Sequence, residues 1–251
     1  MFNDMKLGDE FQAIVLAAGR GKRMGSDLPK VLLQVCNRPM ISYILDALKK
    51  LGIEKPIAVI SKTGGIVKET LGDAAEYALQ EEQLGSGNAV ASARDAARGA
   101  KHVIIMCGDS PLFRIETIRS LMETHLKEGA TVTMLSCNLD DPTGYGRIVR
   151  NESGEITGIV EEKLANAEQK AIKEINGGCY AFDGGWLWEN IDLMSKNEVG
   201  EYCLTEMVDI AVKQRLKVSA IPADREELIG ANTPEQLKVL EEILRARGLN
   251  N

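Results

Sequence analysis

Four cations, Arg20, Lys22, Arg23 and Lys30, crowd into and just beyond the segment Leu16-Ala17-Ala18-Gly19-Arg20-Gly21-Lys22-Arg23-Met24. Small residues and glycines after an apolar run let the backbone approach a ligand closely, and free N–H groups there can hold phosphate oxygens. In a chain of formal charge −7, such a cluster suits an anion richer in charge than one carboxylate. A solvated turn, with glycines serving geometry alone, is the competing reading. Two familiar phosphate loops are excluded. A dinucleotide fingerprint needs a third glycine where Met24 stands. A Walker loop needs Ser or Thr where Arg23 stands and its first glycine where Leu16 stands. Pro29 fixes the chain direction just before Lys30, which can aim that lysine inward.

Further polar groups follow apolar runs. Cys107-Gly108-Asp109-Ser110-Pro111 comes directly after His102–Met106, so Asp109 falls just outside the carboxyl end of a strand, where ligands gather in open α/β sheets. A lone carboxylate there can hold magnesium when phosphates supply the other oxygens. On the residues alone, a cap for the next helix, with Pro111 in its first turn, is the stronger reading. Gln80 and the small-residue loop Gln83-Leu84-Gly85-Ser86-Gly87 precede an Ala-rich stretch; an amide offers both a donor and an acceptor. Asp141–Ile148, the pair Glu161-Glu162, Asn176 and Gly230-Ala231-Asn232-Thr233 are further polar segments; on the residues alone Asn232 reads as a turn residue, Glu161 as part of a solvated acidic loop and Asn176 as a strand-end turn.

The elements that must position these groups alternate strand and helix. Ala13–Ala17, Ile57–Ile60, Tyr77–Leu79, His102–Cys107 and Thr131–Ser136 read as strands; Pro39–Leu51, Ile66–Leu71, Asn88–Arg98 and Ile115–Lys127 read as helices. This rhythm predicts a three-layer α/β fold, a mostly parallel sheet with helices on both faces. After Asp140 the pattern becomes β-rich. A hairpin of Arg147–Arg150 and Ile156–Val160 turns at Asn151-Glu152-Ser153-Gly154, and a strand covers Glu174–Phe182. Helices at Trp186–Met194 and Leu204–Lys213, a strand at Val218–Ile221 and a helix Glu235–Arg247 capped by Thr233 complete the chain. One compact unit is expected, with halves at about 11–140 and 141–232 and a terminal helix over 233–251.

The bulk properties narrow the classes. The 251 residues are 44% hydrophobic and 27% charged, an ordinary globular balance. The acidic net charge argues against nucleic-acid or anionic-membrane partners, which need basic faces. No apolar run approaches the ~20 residues of a membrane helix. Five scattered cysteines, two histidines and no CxxC make a zinc site a poor expectation. An odd cysteine count without a secretory signal predicts a reduced, cytoplasmic setting.

Leu-Ala-Ala-Gly-x-Gly-x-Arg-Met followed by Leu28-Pro29-Lys30-Val31-Leu32 resembles the signature of the sugar-phosphate nucleotidyltransferases. More narrowly, the chain is similar from Ala13 to about Leu240 to the pyrophosphorylase domain of bacterial bifunctional N-acetylglucosamine-1-phosphate uridyltransferases. The resemblance implies a Rossmann-like sheet with a small β-rich sugar-binding extension, and Mg2+-dependent transfer of a uridylyl group from UTP to N-acetylglucosamine 1-phosphate with release of pyrophosphate. It implies catalytic roles for Arg23 and Lys30 and metal ligation by Asp109 and Asn232. Nucleotide contacts fall to Leu16, Ala17, Ala18, Gly19, Gly21, Lys30, Gln80, Gly85, Ser86, Gly108 and Asp109. Sugar contacts fall to Gly144, Glu161, Asn176 and Asn232, while Gly200-Glu201-Tyr202 and Thr205-Glu206 take a mainly structural part. The chain departs from the family at Lys22, Cys107, where an aromatic residue is common, Ser86, and Gly177-Gly178-Cys179. It also stops short of the hexapeptide repeats of the acetyltransferase β-helix. Two alternatives stay open: the same chemistry on UTP or dTTP with glucose 1-phosphate, and a non-catalytic nucleotide-sugar sensor.

Overall fold

The structure is a computed structural model and describes residues 7–19, 28–231 and 233–248. Continuous apolar runs become the centre of the sheet. Strand β1 (Phe11–Leu16) opens the chain, and a tiny hairpin, β2 (Gln34–Val35) with β3 (Arg38–Pro39), follows the first loop. Cys36 and Asn37 turn that hairpin with φ of 49° and 58°, the double left-handed geometry that two-residue hairpin loops favour. Then come β4 (Ile57–Ser61), β5 (Glu76–Gln80), β6 (His102–Cys107) and β7 (Val132–Asn138). The second half supplies β8 (Arg147–Arg150), β9 (Ile156–Val160), β10 (Glu174–Asp183) and β11 (Val218–Pro222).

The main sheet runs β11-β7-β10-β6-β1-β4-β5, with the β8–β9 hairpin attached through β8 to β10. β1 lies parallel to β4 and β6, β4 to β5, and β7 to β11. β10 runs antiparallel between β6 and β7, so both halves of the chain share one sheet. All five residues of β4 are buried, as in a strand covered on both faces.

Alternation along the strands splits the core in two. Ala13, Val15, Ile104 and Met106 pack with helices Met40–Lys50 and Ile115–Glu128. Ile14, Val103, Ile105, Tyr180 and Phe182 face the other way, toward Ser86–Ser92, Gly184–Asn190 and Glu206–Lys213. The closing helix, Pro234–Ala246, is capped by Thr233 and packs Leu240 and Leu244 onto Val35, Met40 and Leu112. No helix among the described residues is long and apolar enough to cross a membrane, and the five cysteines are free.

Three helix expectations shift. Asn88–Arg98 divides into Ser86–Ser92 and Arg94–Ala97. The helix expected at Trp186 starts at Gly184, because the Asp183 carboxylate accepts from Trp186 N at 2.8 Å; two glycines, poor helix formers, hide that start in the sequence. Leu204–Lys213 begins only at Glu206.

Candidate active site

Leu16 pairs with Cys107 across β1 and β6, so the loops that follow the two strands emerge side by side. Gly108 N donates to Leu16 O at 2.9 Å, and Ala17 N to Val59 O at 2.9 Å. A Cβ on Gly108 would lie 2.9 Å from both Leu16 O and Val31 Cγ1, so only glycine lets the loops approach this closely. Lys30 opens a 3-10 turn, Lys30–Leu32, directly after Pro29. Its backbone N donates to Gly19 O at 3.3 Å, and its ammonium donates to Asp109 Oδ2. The two side chains are 12% and 26% exposed, so the pair is reachable from the cleft yet largely sheltered.

The end of β5 forms the next wall. Gln80 is 3% exposed and commits its Nε2 to Gly85 O at 3.1 Å and Asn88 Oδ1 at 2.8 Å. Gly85 has φ +106°, and a Cβ there would meet Tyr202 O at 2.5 Å. Tyr202 N donates to Leu84 O at 2.7 Å, Gly87 N to Tyr202 O at 2.8 Å, and Leu204 N to Ser86 Oγ at 3.0 Å. These bonds stitch the loop to the segment before helix Glu206–Lys213. Gln83 Nε2 donates to Ala18 O, tying the loop to the end of β1. Between these walls lies a cavity of about 310 Å³, to which Gly19, Lys30, Gln80, Ser86, Cys107 and Asp109 all contribute.

A second cluster adjoins it through Cys107, whose Sγ lies 3.9 Å from Gly178 O. Asn176 N donates to Gly146 O at 2.9 Å. A Cβ on Gly146 would lie 3.5 Å from Glu161 Oε2 and 3.7 Å from Asn176 Cβ, so these two polar side chains converge there. Glu161 Oε1 accepts from Thr205 Oγ1 at 2.9 Å. Its neighbour Glu162 pairs with Arg147 at 2.6 Å, and that guanidinium, with help from the Gly144 N–H, holds its carboxyl below the usual carboxylate range. Arg147 is 1% exposed and also donates to Tyr145 O.

The Cys107 thiol is no activated nucleophile. Burial, with the Asp109 carboxylate next, pushes the Cys107 thiol up to about 12, so it stays protonated near neutral pH. The imidazoles lie elsewhere: His125 contacts Thr133 Oγ1 at 3.0 Å and His102 at 3.1 Å, at the opposite end of β6. A larger hollow of about 780 Å³ lies beside β11 and the β8–β9 hairpin. None of the expected site residues among the described ones line it, and Arg150 and Lys217 within it are paired to Glu174 and Glu128, so the smaller cavity is the better candidate.

A family model, the MobA-like NTP transferase domain, matches residues 13–170. The chain belongs to this family. Proteins named bifunctional protein GlmU are similar to it along nearly its whole length: that of Caldanaerobacter subterraneus subsp. tengcongensis is 42% identical over 240 residues, covering 95% of this chain and 52% of the relative. That of Heliobacterium modesticaldum is 46% identical over 239 residues, covering 94% and 52%. The chain thus spans about half the length of these relatives. A crystal structure from Bacillus anthracis, of a chain provisionally assigned as a glucose-1-phosphate thymidylyltransferase, superposes with a TM-score of 0.79 at 21% identity, over 94% of this chain and 95% of that one. It has the same fold. The candidate cavity lies on this α/β scaffold, at the carboxyl ends of β1, β5 and β6.

The residues expected from the sequence separate into groups within this domain. Leu16, Ala18, Gly19, Lys30, Gln80, Gly85, Ser86 and Asp109 line one cavity. Ala17 and Gly108 stand one step back, since their N–H groups are taken by Val59 and Leu16 and are not free for phosphate. Glu161 and Asn176 meet in the adjoining cluster. Gly144 takes φ +90° with open space where a Cβ would go, so its backbone conformation calls for glycine more than crowding by protein atoms does. Arg20, Gly21, Lys22, Arg23 and Asn232 lie outside the described residues.

Two readings of the sequence change. Asp109 is no helix cap: the next helix starts only at Ile115, behind Arg114, with no capping side chain of its own. The Gln80 amide does not offer both functions to a ligand, because its Nε2 is spent within the protein and only Oε1 remains. Glu201, expected to be structural, lines the cavity. Gln83 and Tyr180 carried no distinguishing spacing in the sequence; their roles come from partners 65 and 4 residues away.

Proposed function

We propose that this domain transfers a uridylyl group from UTP to N-acetylglucosamine 1-phosphate, giving UDP-N-acetylglucosamine and pyrophosphate, with Mg2+ as its metal. The observation that carries the reading is the Lys30–Asp109 pair, set between the loops that follow β1 and β6 at the mouth of the cavity. A cation beside a carboxylate suits a substrate that arrives as a polyanion with a divalent ion. The GlmU relatives support the choice of nucleotide sugar.

The donor set fits magnesium. No group of three or more His, Cys, Asp or Glu residues able to cage a metal occurs among the described residues. Mg2+ characteristically takes one or two protein oxygens and completes its shell with phosphates and water. Asp109 would hold it, with Asn232 as the second protein ligand. Bound there, the ion supplies positive charge to the α-phosphate and to the departing pyrophosphate.

The protein's own groups do the remaining work. A phosphomonoester has its second pKa near ~6, so the sugar 1-phosphate arrives with a charged oxygen and needs no general base. That oxygen attacks the α-phosphorus in line, the bond to the bridging oxygen breaks, and pyrophosphate leaves. Lys30 neutralises phosphate charge near the reacting centre, and Arg23 serves the triphosphate and the leaving group. The free Gln80 Oε1 accepts from N3–H of uracil, whereas cytosine presents an acceptor at that position. Glu161 and Asn176 hold the sugar, and Gly144 meets it through its backbone.

Thymine carries the same N3–H, so dTTP with glucose 1-phosphate is the second reading. A panel of UTP, dTTP, CTP and ATP against N-acetylglucosamine 1-phosphate and glucose 1-phosphate, followed by pyrophosphate release, separates them. UTP with N-acetylglucosamine 1-phosphate is expected to give the highest kcat/KM. Binding without any pyrophosphate release would leave only the sensor reading.

A further inference from the structure

Asn176 and Tyr180 are four residues apart on β10, a spacing of roughly 13 Å on a regular strand. Here they touch: Asn176 Nδ2 donates to the Tyr180 hydroxyl. The cause is a bulge. Asn176 faces Ser136 and Tyr180 faces Met134 on β7, so four steps along β10 cover only two on its partner. Gly177 and Gly178 absorb the excess. Gly178 sits at φ +70°, and a Cβ on Gly177 would lie 2.9 Å from Leu135, so side chains are disfavoured at both positions.

The same bulge fixes the other end of the carboxamide, because Gly178 N donates to Asn176 Oδ1 at 3.2 Å. With Oδ1 taken by a backbone N–H and one Nδ2 hydrogen given to a phenol oxygen, the amide has a single orientation. Its remaining Nδ2 hydrogen is the group left to meet a ligand. Tyr180 is itself buried, 4% exposed, while Asn176 is half-buried and accessible. The phenol ring finds its room beside the small Cys107, since Tyr180 pairs with Ile105 and Cys107 is the next residue of β6 on that face. Burial raises the Tyr180 hydroxyl well above its ordinary pKa, which keeps it a neutral partner.

We infer that Tyr180 is a positioning residue for the acceptor sugar: it locks the Asn176 carboxamide so that a donor faces the sugar and selects for an acceptor oxygen, such as an acetamido carbonyl, on the substrate. This inference rests on the proposed sugar-phosphate reading of the site.

The test is Tyr180→Phe in the full chain, which keeps the ring and removes only the hydroxyl. KM for N-acetylglucosamine 1-phosphate should rise about tenfold, the scale of one lost neutral hydrogen bond. KM for UTP and the thermal midpoint should stay at their wild-type values, and preference over glucose 1-phosphate should narrow. In an Asn176→Ala background, Tyr180→Phe should add nothing, because the two side chains act as a unit. An unchanged sugar-phosphate KM, an equal rise in both KM values, or additive effects in the double variant would overturn the inference while leaving the proposed reaction standing. A wild-type protein that turns over no sugar 1-phosphate overturns both.

Discussion

At the scale of single residues, the proposed reaction relies on charges that the protein already holds in place. Lys30 is fixed twice, by its backbone bond to Gly19 O and by its ion pair with Asp109, so its ammonium needs little reorganisation during the reaction. Removing one preorganised charge of this kind commonly lowers turnover ~10²–10³-fold. Lys30→Ala should therefore lose pyrophosphate release by about that factor while its circular dichroism spectrum is retained; near-normal turnover removes Lys30 from catalysis. Arg23→Ala is expected to show a comparable loss. The placing of these two groups could be read in the sequence, because Pro29 stands directly before Lys30 and Gly108-Asp109 follows an apolar run. The choice between Glu161 and Glu162 was not legible. It depends on Arg147, buried and already paired with Glu162, a contact that no local pattern encodes.

Elements set the angles at which these residues meet. The loop after β5, which we assign to the nucleotide, holds its shape through Gly85, whose φ of +106° and closeness to Tyr202 O both exclude a side chain. Gly85→Ala adds strain of about 1–3 kcal/mol and pushes the loop off Tyr202, so it should raise KM for the triphosphate well before it unfolds the protein. Helix Ile115–Glu128 depends on a distant group: Glu227, 1% exposed, accepts from Arg114 N at 2.7 Å and Thr117 Oγ1 at 2.9 Å. It caps from across the fold a helix end that otherwise leaves N–H groups unpaired. Because Ala231 N donates to Asp109 O at 3.4 Å, the same segment also reaches the loop after β6. Glu227→Ala should cost about 1–3 kcal/mol in urea unfolding, with Glu227→Gln intermediate; no loss in either variant removes the cap. Strand runs such as Ile57–Ile60 and His102–Cys107 could be read from apolar periodicity. This cap and the Gly177-Gly178 bulge could not, since each is defined by what packs against it.

Across the whole molecule, one sheet joins both halves, and a buried imidazole pair far from the candidate site is expected to make its stability depend on pH. His125 is 1% exposed in helix Ile115–Glu128, bridging Thr133 on β7 and His102 on β6, with Phe11 of β1 tilted against both rings. Three strands and a helix therefore meet around two imidazoles. Burial lowers His125 from 6.5 to about 4, with His102 adding to the effect, and burial lowers His102 as well. A depressed histidine pKa means that the unfolded chain binds protons more readily than the native one. The stabilising contribution is then complete above the unfolded value of 6.5 and is lost progressively as pH falls toward about 4. For His125 alone the loss over that window is on the order of 3 kcal/mol. Urea unfolding followed from neutral pH into this window should show stability falling with acid. His125→Gln, which keeps polar contacts but cannot be protonated there, should flatten the slope even if it lowers stability at neutral pH. The candidate cavity is lined by neither histidine, so the variant should keep the wild-type pH profile of pyrophosphate release as long as it stays folded. An unchanged stability slope in His125→Gln would place the acid sensitivity on other groups.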